Sequence, residues 1–532
     1  MANSANCDRC KYRTEDGTES GILAKVWMDQ AKSNKLARLS RGLFPLIALS
    51  IVVFNPVNTT PEINRMIAAV VLMAGWWISE AVPIAITSLL PLVLFPLFGI
   101  MNGGTTAEQY FNDIIFLFMG GFILSLAMEK WDLHLKIAFR TLLLFGSKPY
   151  RILLGFMVTS SILSMWMSNT ATAILMLPIA ISVIRELEHL HGKEKMKRFK
   201  IGILLGIAYA CSIGGITTLI GTPPNLALVA IFSNLYPEAE ALSFSTWFIF
   251  ALPVYIILLS TASVVLYYIF KPKFETVGTF RKYVRTEYQK MGRSTSEQKI
   301  IMGIFLTFAL LLITRNDLNI IDFTLPGWSN LFKTPSFIKD GTVAISLAIL
   351  LFVIPSVNKK GQQLMDWETS LKLPWEIILL FGGGFALARA SVESGLTLWI
   401  GEGLTQYAGI PPLFFIGINT FLMAFLTEFT SNVSTTQILL PVVSAMSDSL
   451  MINPKFLMIP VTMASSLAFM LPIATPPNAI VFGSGLLHIK DMILPGFILN
   501  ILGIVVVTLA MYLWGMNLFE IDLAVFPEWA QR

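Results

Sequence analysis

This 532-residue chain has little cysteine, histidine or charge: three cysteines, four histidines, and Asp, Glu, Lys and Arg together at 13%. Three cysteines exclude a disulfide framework. Cys7 and Cys10 form a lone C-x-x-C in a polar stretch, with no second pair to complete a zinc site, and Cys211 lies in an apolar run where packing is its expected role. His134, His189, His191 and His488 are scattered and make no H-E-x-x-H or similar ligand set. Soluble domains carry roughly a quarter charged residues, so a chain that is 55% hydrophobic and 13% charged is solvated largely by lipid. The net charge of +5 sits in a few clusters and not on one face, which argues against a nucleic-acid partner. Residues 1–42 are polar and the first apolar run begins near Leu43, too late for a secretory leader, so they read as a cytoplasmic tail.

What is present is apolar length. Runs near 43–54, 66–82, 84–100, 114–129, 201–220, 247–270, 299–314, 342–355, 375–392, 455–473 and 493–518 approach the roughly 20 residues of a spanning helix. Basic residues crowd 25–41, 130–151, 185–200 and 271–299, while 101–113 and 231–246 contain no Lys or Arg. By the positive-inside tendency the basic segments are cytoplasmic, and about eleven crossings leave the C-terminus outside.

One apolar stretch does not fit this count. "MSNTATAILMLPIA" (167–180) is interrupted by Ser168, Asn169 and Thr170, and both its flanks, Arg151 and Arg185, belong to the basic set. Its two arms, near 152–167 and 170–184, are about 24 Å of helix each, too short for the hydrocarbon core. The spacing predicts a re-entrant helical hairpin with the polar triplet at its buried tip. "TSNVSTTQILLPVV" (430–443) predicts a second hairpin entering from outside.

The halves of the chain repeat. "IIFLFMGGFILSLAMEKWDL" (114–133) aligns with "IILLFGGGFALARASVESGL" (377–396) at an offset of 263, with ten of twenty positions identical. The same offset carries Ser164 to Thr427, Ser168 to Ser431, Asn169 to Asn432 and Thr170 to Val433. "IGTPPNLALVA" (220–230) recurs as "IATPPNAIVFG" (473–483). Five crossings separate the copies, so they face opposite ways. Inverted repeats with interrupted helices mark a secondary transporter with its site at the midplane. Each Pro-Pro removes two amide donors and opens its helix, and such a break persists in hydrocarbon only where it lines a cavity or binds something.

The breaks offer carbonyls, hydroxyls and Asn amide oxygens, neutral hard ligands that suit a small monovalent cation. Free N–H groups at half-helix N-termini favour a carboxylate or other oxyanion. Asn serves both, since its amide accepts and donates. No nucleophile with a base or metal accompanies the motifs, which speaks against an enzyme. A channel requires a continuous pore lining. Glu428, three residues before the second tip triplet, reads as the structural partner of a base such as Arg389.

With these motifs in place, residues 43–520 resemble the divalent anion/sodium symporter family, which includes the sodium-coupled dicarboxylate and citrate carriers. The resemblance rests on the paired S-N-T/V and T-P-P-N motifs and on "FLFMGGFILSLAME". It implies an all-α polytopic homodimer, about eleven transmembrane helices and two hairpins per protomer, working as an elevator in the cell membrane. The implied division is a tail (1–42), scaffold helices (43–113), a first transport region (114–245), further scaffold with a cytoplasmic basic loop at 271–299 (246–376), a second transport region (377–492), and a last helix with an external end (493–532). Two sodium sites are implied, one at Ser164, Ser168, Asn169 and Gly221, the other at Thr427, Thr430, Asn432 and Ala474. Substrate carboxylates are implied at Asn169, Thr170, Thr222, Asn432 and Thr475, beside Val433, which stands where many bacterial members have Thr. The implied activity is sodium-driven symport of succinate, malate or fumarate, with sodium as coupling ion and no organic cofactor. A dicarboxylate exchanger or a citrate-preferring symporter is the alternative on the same fold.

Overall fold

Polar punctuation decides where the helices begin. Thr60, Asn112, Ser243 and Thr295 cap Pro61–Ser79, Asp113–Lys130, Phe244–Ile269 and Ser296–Ile313, each side-chain oxygen accepting a first-turn backbone N–H. The computed structural model describes residues 19–272, 278–320, 323–404 and 411–531, so the Cys7/Cys10 pair lies outside the described residues. Ten of the eleven apolar runs fall mostly on helix, whereas the run expected at 455–473 is helical only to Ala464, and residues 465–473 are turns and irregular backbone leading into the second T-P-P-N break. Eight helices among the described residues are long and apolar enough to cross a bilayer, and the chain is an all-α multi-pass membrane protein. Of these, Lys193–Gly215 is the innermost, with 83% of its apolar window buried, whereas Ala37–Phe54 buries 11%.

Several elements differ from the sequence expectation. The run 84–100 is two helices, Ile84–Thr87 and Leu90–Phe98, because Pro91 in the first turn of the second supplies no N–H. The bend is held at Ser88, whose hydroxyl accepts from Trp77 Nε1 (3.1 Å) and whose carbonyl accepts from the Tyr110 hydroxyl (2.5 Å). The helix Glu19–Phe54 begins inside the stretch expected as a tail. The basic segments 130–151 and 271–299 carry the helices Leu133–Leu144 and Gly278–Lys290, which pack together. Lys136 on the first donates to Gly292 O (2.9 Å) just beyond the second. Charge masked their short amphipathic pattern. A two-stranded antiparallel ribbon, Leu318–Ile320 with Phe323–Leu325, is a small β element that no apolar run announced.

The element that positions the candidate site is Lys193–Gly215. It packs along Pro149–Ser164 and Asn169–His191, and also against Phe244–Ile269 and Pro476–Gly483. The second arm Asn169–His191 runs to 23 residues, longer than the expected 170–184, because its last turns are polar: Arg185, Glu186, Glu188, His189 and His191.

Candidate functional site

The two tip motifs each form a turn between helices. Pro149–Ser164 stops, residues 165–168 turn, and Asn169–His191 begins. Pro412–Leu426 stops, residues 427–431 turn, and Asn432–Ser449 begins. The two T-P-P-N motifs restart broken helices. Lys193–Gly215 gives way to Pro223–Leu235, and Pro454–Ala464 to Pro476–Gly483, with Thr222 and Thr475 as N-caps and Pro at the first turn. Four helices therefore end and four begin at these breaks. Their ends present carbonyls with a partial negative charge, and their beginnings present amides with a partial positive charge.

The repeats interlock. Pro476–Gly483 of the second packs against Asn169–His191 of the first, and Pro223–Leu235 of the first packs against Asn432–Ser449 of the second. Each hairpin thus has one wall supplied by the other half of the chain.

At the first break, the Ser164 hydroxyl donates to Asn169 Oδ1 (2.5 Å). Gly215 lies so close that a Cβ on it would fall 2.6 Å from that same Asn169 oxygen. A Cβ on Gly221 would meet Gly215 O at 2.6 Å and Met165 O at 3.0 Å, so only glycine permits the approach. Ser164, Asn169 and Gly221 are therefore brought together, joined by the carbonyls of Met165 and Gly215. Ser168 is turned to another task, its Oγ capping Ala171 N (3.1 Å). Thr170 is half-buried on the first turn of the arm. Thr222 is wholly buried and its hydroxyl has no partner among the described residues.

The second break is built differently. Thr427 donates to Ser465 O (3.0 Å), not to Asn432. Asn432 Oδ1 accepts from the backbone N–H of Val433 (2.9 Å), and Val433 is buried. Thr430 bonds Leu426 O (2.8 Å) and the Thr435 hydroxyl (2.5 Å). Thr475 Oγ1 accepts from Asn478 N (3.4 Å), and Ala474 N donates to Leu471 O (3.3 Å). Glu428 does not pair with Arg389, which bonds Glu393 (2.8 Å). Its carboxylate instead accepts from Met470 N (2.9 Å), Leu471 N (3.0 Å) and Asn500 Nδ2 (2.7 Å). The expected pairing with a base is not formed; two orphaned backbone amides of the break and the Asn500 side chain take its place. Every one of these partners donates, the pattern an ionised carboxylate satisfies.

Sequence reasoning missed Thr218, Trp247, Asn225, Asn478 and Asn500. Thr218 Oγ1 donates to Met165 O (2.5 Å) and accepts from Gly221 N (2.9 Å), and Trp247 Nε1 donates to Ile216 O (3.1 Å). Asn225 and Asn478 are the last letters of the two T-P-P-N motifs, so their repetition was a signal available beforehand. Trp247 and Asn500 lie on distant helices and had none.

Fold and breaks together define a multi-pass helical membrane protein of transporter class, with paired helix interruptions meeting inside it. A sequence family described as "Sodium:sulfate symporter transmembrane region" matches residues 36–521, and the chain belongs to that family. Membership makes it a transport protein, not an enzyme. It is 41% identical over 483 residues to the sodium-dependent dicarboxylate transporter SdcS of Staphylococcus saprophyticus, covering 90% of this chain and 91% of that protein. It is 39% identical over 495 residues to SdcS of Staphylococcus aureus strain NCTC 8325, covering 91% and 93%. Among solved structures it is similar in fold to the Alcanivorax borkumensis YdaH transporter, with a TM-score of 0.53 at 13% identity over 80% of this chain and 89% of that one.

Proposed function

We propose that the chain is a sodium-coupled symporter of C4-dicarboxylates such as succinate, malate and fumarate, acting in the cell membrane. The observation that carries this reading is that four helices end and four begin at the repeated S-N and T-P-P-N motifs, with Pro476–Gly483 and Pro223–Leu235 each packed against the opposite repeat. Helix ends with Asn and hydroxyl oxygens suit sodium, and helix beginnings with free N–H groups suit carboxylates. The names of the SdcS relatives, at about two-fifths identity over nine-tenths of the chain, support the same choice.

In this reading the first sodium site uses Ser164, Asn169 and Gly221, with Ser168 as tip cap, and the second uses Thr427, Thr430, Asn432 and Ala474. The substrate meets Asn169, Thr170, Thr222, Asn432, Val433 and Thr475. The hairpins are re-entrant, eleven helices cross, and the carrier works as a homodimeric elevator in which the regions 114–245 and 377–492 move against the rest. An impermeant thiol reagent tests the sidedness: Glu238→Cys is expected to label from outside and Ser294→Cys only after permeabilisation, both positions being exposed. The reverse pattern breaks the inverted-repeat topology.

Two cation sites imply at least two sodium ions per substrate. Sodium organises the tips before the carboxylates arrive, so sodium raises substrate affinity and substrate raises sodium affinity by the same factor. The deciding measurement is initial uptake of labelled succinate and citrate into proteoliposomes with sodium or choline outside. Sigmoidal sodium dependence with a Hill coefficient above one supports symport. Undiminished succinate uptake in choline sinks it in favour of the exchanger, and preferential citrate uptake replaces the substrate assignment.

A further inference from the structure

The fourth residue of each T-P-P-N motif occupies the same place in both repeats. Asn225 Nδ2 donates toward Thr218 O (2.7 Å), Gly215 O (3.3 Å) and Ile216 O (3.3 Å). Asn478 Nδ2 donates toward Leu471 O (3.0 Å) and Ala468 O (3.1 Å). Positions 215 and 218 correspond to 468 and 471 at the same spacing that relates 225 to 478. Both side chains are wholly buried, and in both the amide oxygen has no partner among the described residues. The carbonyls alone fix which way each amide points.

Each amide ties the restarted half-helix back to carbonyls at the end of the half-helix before it. Two of those carbonyls lie beside candidate cation-site residues, Leu471 O accepting also from Ala474 N (3.3 Å). Gly215 O stands against Gly221, and Gly215 itself stands against Asn169 Oδ1. A loop carbonyl in an apolar interior drifts toward any donor it can find, and a ring of them around an absent cation repels itself. An N–H donor uses one lone pair of a carbonyl and leaves the other directed elsewhere, and the two N–H groups of Asn225 are shared among its three carbonyls.

We propose that Asn225 and Asn478 are positioning residues for the two cation sites, holding the break carbonyls in register so that sodium meets a preformed oxygen set. This rests on the symport reading above. Their mutation therefore acts on sodium, while the substrate step is spared once sodium is saturating.

The test is the sodium dependence of initial succinate uptake by reconstituted full-length wild type, Asn225→Ala, Asn225→Asp and Asn225→Ser, with the same series at Asn478. The Ala variants are expected to raise the half-saturating sodium concentration about tenfold, with maximal rate and succinate KM at saturating sodium within about twofold of wild type. Asp matches Asn in size but brings no N–H donor at neutral pH, so it is at least as impaired as Ala; a packing role alone ranks Asp above Ala. Ser keeps one donor and falls between, and it decides the matter if Ala or Asp fails to fold. An unshifted sodium half-saturation in folded Ala or Ser variants, or a lost maximal rate at wild-type sodium affinity, overturns the inference while leaving symport intact. Wild-type uptake indifferent to sodium removes the symport reading and this inference together.

Discussion

The first break and the second share one architecture, and each T-P-P-N Asn donates to break carbonyls in both, but the remaining stranded groups are served differently. In the first, donors satisfy stranded carbonyls: Thr218 reaches Met165 O and Trp247 reaches Ile216 O. In the second, acceptors satisfy stranded amides: Glu428 takes Met470 and Leu471, and Asn500 Oδ1 takes Phe469 N (3.3 Å). Residue 216 corresponds to 469, so the same position loses its carbonyl partner in one copy and its amide partner in the other. Exposure follows the difference. Residues 211–222 are buried throughout, whereas Ile473 is 76% exposed and Phe429 beside the second tip is 70% exposed. Gly221 lets the first break fold against Met165 O, whereas the matching position, Ala474, carries a Cβ. A repeat can thus keep its backbone plan while its two candidate ion sites differ in polarity, tightness and access.

The largest expected effect tests what the two breaks share. Asn169→Ala and Asn432→Ala are each expected to abolish succinate uptake in proteoliposomes while the protein remains folded, since each removes a proposed oxygen ligand and substrate donor from a tip. Near-normal uptake and sodium affinity in either variant removes that Asn from the site.

Next comes what the breaks do not share. Glu428→Gln leaves at least one buried amide short of an acceptor and is expected to cost about 2–3 kcal/mol of stability, against about 1 kcal/mol for Thr218→Val. Thermal melting in detergent ranks them; equal losses mean the two breaks are held alike and the contrast drawn above is wrong. Val433→Thr makes the second tip more like the first. One added hydroxyl near a carboxylate is worth about 1 kcal/mol, so the ratio of succinate to citrate affinity shifts about fivefold. An unchanged ratio places Val433 away from the substrate.

The smallest effect lies where the equivalent helices leave the core. Lys130 and Glu393 correspond in the repeat, yet Lys130 pairs with Asp366 (2.5 Å) and Glu393 with Arg389 within its own helix. The Lys130 hydrogen bond draws the Asp366 carboxyl from its usual 3.8 down to about 2. A depressed carboxyl stabilises the fold above its unfolded value and loses that contribution as pH falls through the folded one. Asp366 is 44% exposed, so screening limits the gain to about 1 kcal/mol or less. Asp366→Asn should therefore melt slightly below wild type at pH 6, with the gap closing between about pH 4 and 2. A gap that persists below pH 2 assigns the difference to packing.

Much of the plan is legible along the chain because it is periodic or local. Apolar length predicts helices, Pro-Pro predicts that a helix must restart, and the S-N pairs mark the turns between arms. Each follows from backbone chemistry within a few residues, and repetition at a fixed offset makes the two halves readable as copies. Local chemistry also explains the misses at 84–100 and 271–299, where a proline and a dense charge pattern outweighed the apolar count.

The partners of the stranded groups were not legible. Trp247 and Asn500 sit on helices far along the chain from the carbonyl and amide they satisfy, and Glu428, which the sequence places beside a base, is instead held by two backbone N–H groups 42 and 43 residues away and by Asn500. A side chain's partner in a low-dielectric interior is whichever complementary group packing brings within reach, and packing depends on how Pro476–Gly483 and Pro223–Leu235 cross into the opposite repeat. Repetition in the chain therefore specified two interrupted helices and two tips, while tertiary packing brought Trp247 to one break and Glu428 and Asn500 to the other.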